Sequence, residues 1–445
     1  RLLQDSRVDP STDNNYAIRL ASENGHTEVV NRLLKDPRVD PSDLYNYAIR
    51  VASSNGHIEV VNRLLQESRV DPSADDNYAF RLASKNGHIE VVNRLLQDSR
   101  VDPSSKDNYA IRWTSKNGHI EVVNRLLQDP RVDPTAEENH AIRRASRNEH
   151  IKVVKRLLQD PRVDPSALDN FAVHMASENG HIEVVNRLLQ DPRVDPSSDD
   201  NYAIRWASRD GHIKVVKRLL QDPRVDPSAR DNYAICWATR NGHVEVVNRL
   251  LQDLRVDPSD DYNYVLRVAS KDGFIKIVNI LLQDHRVDPS ADDNYAISIA
   301  SRNGHVEVVN RLLQDNRVDP SARDNYAIRW ASENGQIEVV NRLLQDNRVD
   351  PSARENCAIR WASENGQIEV VDRLLQDPRV DPSDRNNSAI GWAFENGYIE
   401  VVNRLLQDYR VDLMLKIIFR FLVLLVMYIS KRSNVYSRTN RVRKI

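Results

Sequence analysis

The chain has only two cysteines in 445 residues, Cys236 and Cys357. In a row of stacked units they lie four units apart, far beyond disulfide reach. Such sparse use of cysteine is that of a reducing compartment, so a cytoplasmic protein is expected. No signal peptide opens the sequence; it begins RLLQDS, without Met and in mid-unit, which predicts a fragment. No phosphate-binding glycine loop, nucleophile elbow or Cys/His metal spacing occurs. Acids and histidines are plentiful but recurrent, whereas an active site is a singular constellation. Catalysis, a cofactor and a bound metal are therefore not expected. Glycine is also scarce: twelve of the 13 glycines occupy one slot of the repeat described below. A basic surplus is absent too. Lys and Arg number 63 against 65 Asp and Glu, and the last 33 residues hold eight of the bases and no acid. The remainder, 55 against 65, is near −10, so nucleic acid is not an expected partner.

What is present is one unit copied thirteen times at an interval of 31 residues. Asn15, Asn46, Asn77 and so on to Asn387 hold one slot without insertion or deletion. A fixed period of this size means a solenoid or array. In the copy VDPSADDNYAFRLASKNGHIEVVNRLLQES, Asp71-Pro72 predicts an extended break and Ser73-x-x-Asp76 a capping box opening helix A. Nine copies keep that box. Tyr78, Phe80, Leu82 and Ala83 supply the apolar side of helix A. Asn86-Gly87 stops it, because glycine adopts the left-handed conformation at low cost. Ile89, Val92, Leu95 and Leu96 mark one face of helix B. A pair of helices this short cannot bury its apolar face alone, so stability resides between copies.

The run GHIEVVNRLL resembles the ankyrin repeat, whose second helix begins G-H-x-E-V-V and ends in L-L. The resemblance covers about residues 1–412. It departs in three ways: the unit is 31 residues rather than 33, YAIRWAS stands where ankyrins carry T-P-L-H-x-A-A, and the glycine of the usual hairpin is missing. The expected fold is thus an all-α, ankyrin-like helix-turn-helix solenoid with shortened or irregular fingers. Residues 1–11 form a partial copy, 12–412 thirteen copies, and 413–445 a hydrophobic and basic tail. The wording of the unit is also similar to arrays of large DNA viruses and protists. The resemblance implies a non-catalytic, monomeric scaffold that binds protein partners through finger tips and helix A. An adaptor for an effector such as a ubiquitin ligase, or a degenerating copy without a selected partner, remain alternatives.

Nine of twelve histidines share the slot of His26, His57 and His88. Copies stack about 10 Å apart and Zn–N bonds are about 2 Å, so these histidines cannot share a metal. A hydrogen bond near the start of helix B is expected instead. All six tryptophans, Trp113, Trp206, Trp237, Trp330, Trp361 and Trp392, interchange with aliphatics in one slot. That predicts packing between helices, with a partly exposed stripe for a partner as the second reading. Arg144 in that slot, beside Glu149 in the glycine slot, predicts a weak copy. Arg19 and its equivalents predict a repeated bond to the neighbouring copy. Two slots vary most in charge. The first contributes Arg230, Arg323, Arg354 and Arg385; the second runs basic through Arg209, Arg240, Lys271 and Arg302. By the resemblance both face a partner, with Trp206 and Trp237 beside them, and an acidic protein segment fits this charge.

The tail, from LMLKIIFRF onward, is a poor membrane span. Leu413 to Ile429 is 17 residues, interrupted by Lys416 and Arg420, against the roughly 20 a span needs. Membrane association is expected only if the tail is genuine, and a capping helix is a further reading. Codons shifted by one base permit Asn, Ala-Ser and Arg-Leu-Leu-Gln-Asp at repeat spacing. The favoured expectation is a fourteenth copy in the wrong frame.

Overall fold

Every 31-residue unit becomes two helices. The computed structural model describes residues 8–412, 414 and 416–424, and its thirteen copies form two helices each, from α1 (Thr12–Glu23) to α26 (Ile399–Leu405). Helix A spans 12 or 13 residues and helix B seven or eight, as in α5 (Ala74–Asn86) and α6 (Ile89–Leu95). Among the described residues there is no strand. The shortened finger is a tight polar loop. In it Arg100 donates from Nε and Nη2 to the two carboxylate oxygens of Asp98 (2.9 and 2.7 Å) and from Nη1 to the Val70 carbonyl (3.0 Å). These bonds hold the Asp98 carboxyl below its ordinary pKa.

The chain divides into two compact units, Arg1–Ala229 and Arg230–Ile445. Within each, helix A packs on the helices A of adjoining copies and helix B on the helices B. The core differs in detail from the sequence pattern. Ala79, Phe80 and Ala83 of α5 and Val91, Val92 and Leu95 of α6 are fully buried. Tyr78, Leu82 and Ile89 are only half-buried, because the small Ala83-Ser84 pair brings helices A together and turns the larger residues outward.

The helix start is the main departure from expectation. No capping box forms. The Ser73 hydroxyl donates to Asp71 Oδ1 (2.6 Å), and Asp75, Asp76 and Asn77 follow in the left-handed region, with φ of 55°, 54° and 59°. The same three-residue left-handed turn opens helix A in all thirteen copies. It turns the first amides away from the serine, so the cap geometry is lost. Such a turn costs L-residues roughly 1–2 kcal/mol each, least for Asn and Asp. Asn is fixed at the third position because its buried side chain also ties the seam between copies. Asn77 Oδ1 accepts from the backbone N–H of Asp102 at 2.8 Å, and twelve such bonds, each 25 residues long, run through the chain.

The histidine slot does what was expected of it. His57 Nε2 donates to the Glu23 carbonyl (2.9 Å), and His88, His150, His181, His212 and His305 repeat the bond 34 residues apart. Except at His181, each ring rests on the glycine of the preceding copy. A Cβ at Gly87, φ 83°, would lie 2.6 Å from His119 Nδ1. Glu149 nevertheless takes φ 64° in that slot, and its carboxylate turns to His181 Nδ1 at 3.6 Å. The copy keeps its helix α9 (Ala136–Arg147), although His140 there is held neutral, its pKa pushed down to about 4 by burial and by Arg144, Arg112, Arg143 and Lys116.

Most of the tail lies outside the described residues, and with it the expectations of a span or a shifted frame. Residues 416–424 are helical. Val423 is buried, and the Phe419 ring meets Phe394 edge-on at 5.5 Å. Among the described residues no helix is long and apolar enough to cross a membrane.

Candidate functional site

The outer face of helix A carries four recurring side chains. In α13 (Ser198–Arg209) these are Tyr202, Arg205, Trp206 and Arg209. Their spacing of i, i+3, i+4 and i+7 puts them on one face. The slot of Arg19 and Arg205 serves the left-handed turn of its own copy first. Arg205 donates to the carbonyls of Asp200 and Asp199 at 2.8 and 2.9 Å, as Arg19, Arg81, Arg143, Arg329 and Arg360 do at their turns. The expected bond to the neighbouring copy is therefore only part of its role, since the turn presents two unpaired carbonyls nearer by. The neighbour is met through rings. Arg81 lies 5.6 Å from the Tyr78 centroid and 5.2 Å from Tyr109. Cation and ring alternate along the face, each step contributing roughly 0.5–1 kcal/mol where exposed.

In three copies the same arginine also meets an acid of the following turn: Arg50 with Asp75, Arg112 with Glu137 (3.7 Å) and Arg267 with Asp292 (4.0 Å).

The tryptophans are all half-buried, so part of each ring packs in the fold and part stays accessible. Trp206 stacks on Tyr202 at 5.2 Å and carries Arg209 at 3.5 Å from its centroid. Arg209 also donates from Nε to Asp210 Oδ1 (2.8 Å). Arg240 lies 5.1 Å from Trp237, and Arg302 5.0 Å from Trp330.

The two charged slots do not lie together. Arg230, Arg323, Arg354 and Arg385 sit in left-handed turns at the start of helix A. Arg323 pairs with Asp292 and Asp293 (2.8 and 3.1 Å), Arg354 with Asp324 (2.8 Å), and Arg385 with Glu355. These four acids all belong to the preceding copy, so the pairs stitch turns together. The second slot lies at the other end of helix A. There Arg240 and Lys271, both exposed, line a depression of 460 Å³ with Tyr264, Arg267, Val268 and Tyr295. Val268 stands where six copies carry tryptophan, and its smaller side chain leaves the depression open.

A second depression was not foreseen. It has a volume of 450 Å³, lies in the first unit, and is lined by Asp169, Phe171, His174, Met175, Asp199 and Tyr202, beside exposed Leu168. Its signal was present in the sequence, since His174 replaces the recurring arginine and Met175 the recurring Trp or aliphatic within one copy. His174 is buried; its Nε2 meets Ser198 Oγ at 3.0 Å, and its ring stacks on Tyr202 at 4.8 Å. Burial pushes its pKa down to about 4. The Tyr202 hydroxyl donates to Glu178 Oε2 (2.8 Å), and burial together with that carboxylate raises the phenol's pKa.

Among the described residues no group of three or more His, Cys, Asp or Glu is placed to hold a metal. A family model described as ankyrin repeats (3 copies) matches residues 18–107, 80–169, 142–231, 173–262, 235–324, 265–355 and 328–417. No curated protein matches the chain.

Proposed function

The chain belongs to the ankyrin-repeat family, whose repeats are typically non-catalytic modules of protein–protein interaction, and we propose that it is a scaffold that binds an acidic protein segment. The supporting observation is the depression of the second unit, where Arg240, Arg267 and Lys271 surround Tyr264 and Tyr295. Three cations around two rings and a small aliphatic floor suit carboxylate side chains carried on an extended chain. Arg302, over Trp330, continues the exposed cations in that unit. Trp237, under Arg240, offers a half-buried ring next to them. Arg323, Arg354 and Arg385 contribute to the surface as paired charges. The test is titration of the full chain into a fluorescein-labelled Asp/Glu-rich peptide, followed by anisotropy. Saturable binding that is lost in Arg240→Glu/Lys271→Glu supports the reading. Binding that is absent, or unchanged in that variant, overturns it.

Residues 413–445 are read as a fourteenth copy in a shifted frame. In support, among the described residues Asn387 is the one seam asparagine whose buried Oδ1 has no hydrogen-bond partner. Resequencing the gene and transcript from codon 400 onward tests this: restoration of the repeat by one corrected base supports it, and an intact frame sinks it.

A further inference from the structure

The depression of the first unit has the opposite chemistry, and neighbouring copies show what fits it. In the Arg19 slot, a guanidinium packs against ring faces and bonds two carbonyls of the left-handed turn. In the copies of Arg50, Arg112 and Arg267 it also pairs with the first residue of the next turn. At residue 174 the slot holds histidine. The next turn begins with Asp199, and Asp169 stands one copy back in the place from which Asp76 pairs with Lys106 (2.7 Å) and Asp324 with Arg354 (2.8 Å). Where those copies set acid against base, this one sets Asp169 and Asp199, both exposed, and neither has an ion pair among the described residues. The walls are the rings of Phe171, His174 and Tyr202, and the floor includes Met175; the lining holds no cation, although Arg143 lies 5.4 Å from the Phe171 centroid and Arg205 5.9 Å from that of Tyr202, outside the lining.

We propose that this depression receives the side chain of an arginine from a protein partner, its guanidinium between the carboxylates of Asp169 and Asp199 and against the Phe171 and Tyr202 rings. The incoming group supplies from outside what the other copies supply from within. Lysine fits less well: its ammonium is a compact, strongly hydrated point charge, whereas guanidinium is planar, stacks on rings and bonds two acceptors at once. The site shares no lining residue with the basic depression of the second unit and does not depend on an acidic segment binding there.

The chain contains three methionines, so the ε-methyl resonance of ¹³C-methyl-methionine-labelled full-length protein reports on Met175. Met175→Leu identifies the peak, since leucine fills that slot at Leu20 and Leu82. The probe is N-acetyl-Gly-Arg-Gly-amide, with citrulline and lysine counterparts. A saturable shift is expected with a dissociation constant on the order of 1 mM, about tenfold weaker for lysine and weaker still for citrulline. His174→Arg places the chain's own guanidinium in the slot, as in the neighbouring copies, and should abolish the shift while leaving thermal unfolding intact. Asp199→Asn, at an exposed carboxylate, should weaken binding about tenfold and gives the answer if His174→Arg fails to fold. The proposal is overturned by equal shifts from the arginine and citrulline peptides. It is equally overturned by no saturable shift up to about 20 mM, or by a shift that survives in a folded His174→Arg or is unchanged in Asp199→Asn.

Discussion

The two depressions occupy the same four slots of the repeat, three copies apart. Phe171, His174, Met175 and Tyr202 line one; Tyr264, Arg267, Val268 and Tyr295 line the other. Yet one is acidic and the other basic. At residue 267 the arginine is present and donates to the Asp261 carbonyl (2.8 Å), closing the start of the helix. The space there opens at the far end, where valine replaces tryptophan between Arg240 and Lys271. At residue 174 the arginine is missing and the opening moves to the start of the helix, between two aspartates. Each depression in this pair is therefore a place where a bulky recurring side chain has become small or neutral. Its charge is set by which end of helix A that change exposes.

The largest effect should come from reversing the basic end. Arg240→Glu with Lys271→Glu should weaken an acidic peptide about 100-fold and leave the arginine tripeptide shift at Met175 unchanged, by anisotropy and NMR respectively. The next separates the two depressions by pH. Unfolded histidine takes up its proton near pH 6.5, but folded His174 only near 4, so stability falls as pH drops between those values. Lining residues of the basic depression include no histidine. Urea unfolding at pH 7 and 4.5 should show a loss about 2 kcal/mol smaller in His174→Arg than in the parent chain. A smaller effect is steric: Val268→Trp restores the recurring ring and should weaken the acidic peptide about tenfold with no change of charge. Smallest is salt. Raising NaCl from about 0.05 to 0.5 M should weaken both ligands several-fold, the acidic peptide more, because three cations hold it against two carboxylates for the arginine.

The repeat length, the two helices and the histidine bond were legible in the sequence, because a glycine followed by histidine and an amphipathic run has one economical folding. The left-handed turn was not. Ser73-x-x-Asp76 reads as a capping box, and only the unvarying Asn77 slot hinted otherwise, since Asn is the non-glycine residue best suited to that conformation. Reading down the slots also placed Arg323, Arg354 and Arg385 beside Arg240 and Lys271. In the fold they lie at opposite ends of helix A, a distinction visible only once the turn fixes where the helix starts. The acidic depression was missed for a related reason. His174 and Met175 look like ordinary substitutions when each slot is read alone, and Asp169 and Asp199 look like variable surface charge. Their meaning lies across the row, in the absence of the arginine that neighbouring copies hold there.

The seam bonds of asparagine, arginine and histidine span 25, 30 and 34 residues, so each joins a copy only to its immediate neighbour. Duplicating or deleting one whole unit recreates every one of them at the new junction. Unequal exchange of whole units in the coding sequence thus lengthens or shortens the array without removing any class of these bonds. A depression built by two adjacent copies has no such freedom. The unit holding His174 and the unit holding Asp199 must be inherited as a pair, and the 62-residue block they form is the smallest piece that can be moved to another array with that depression intact.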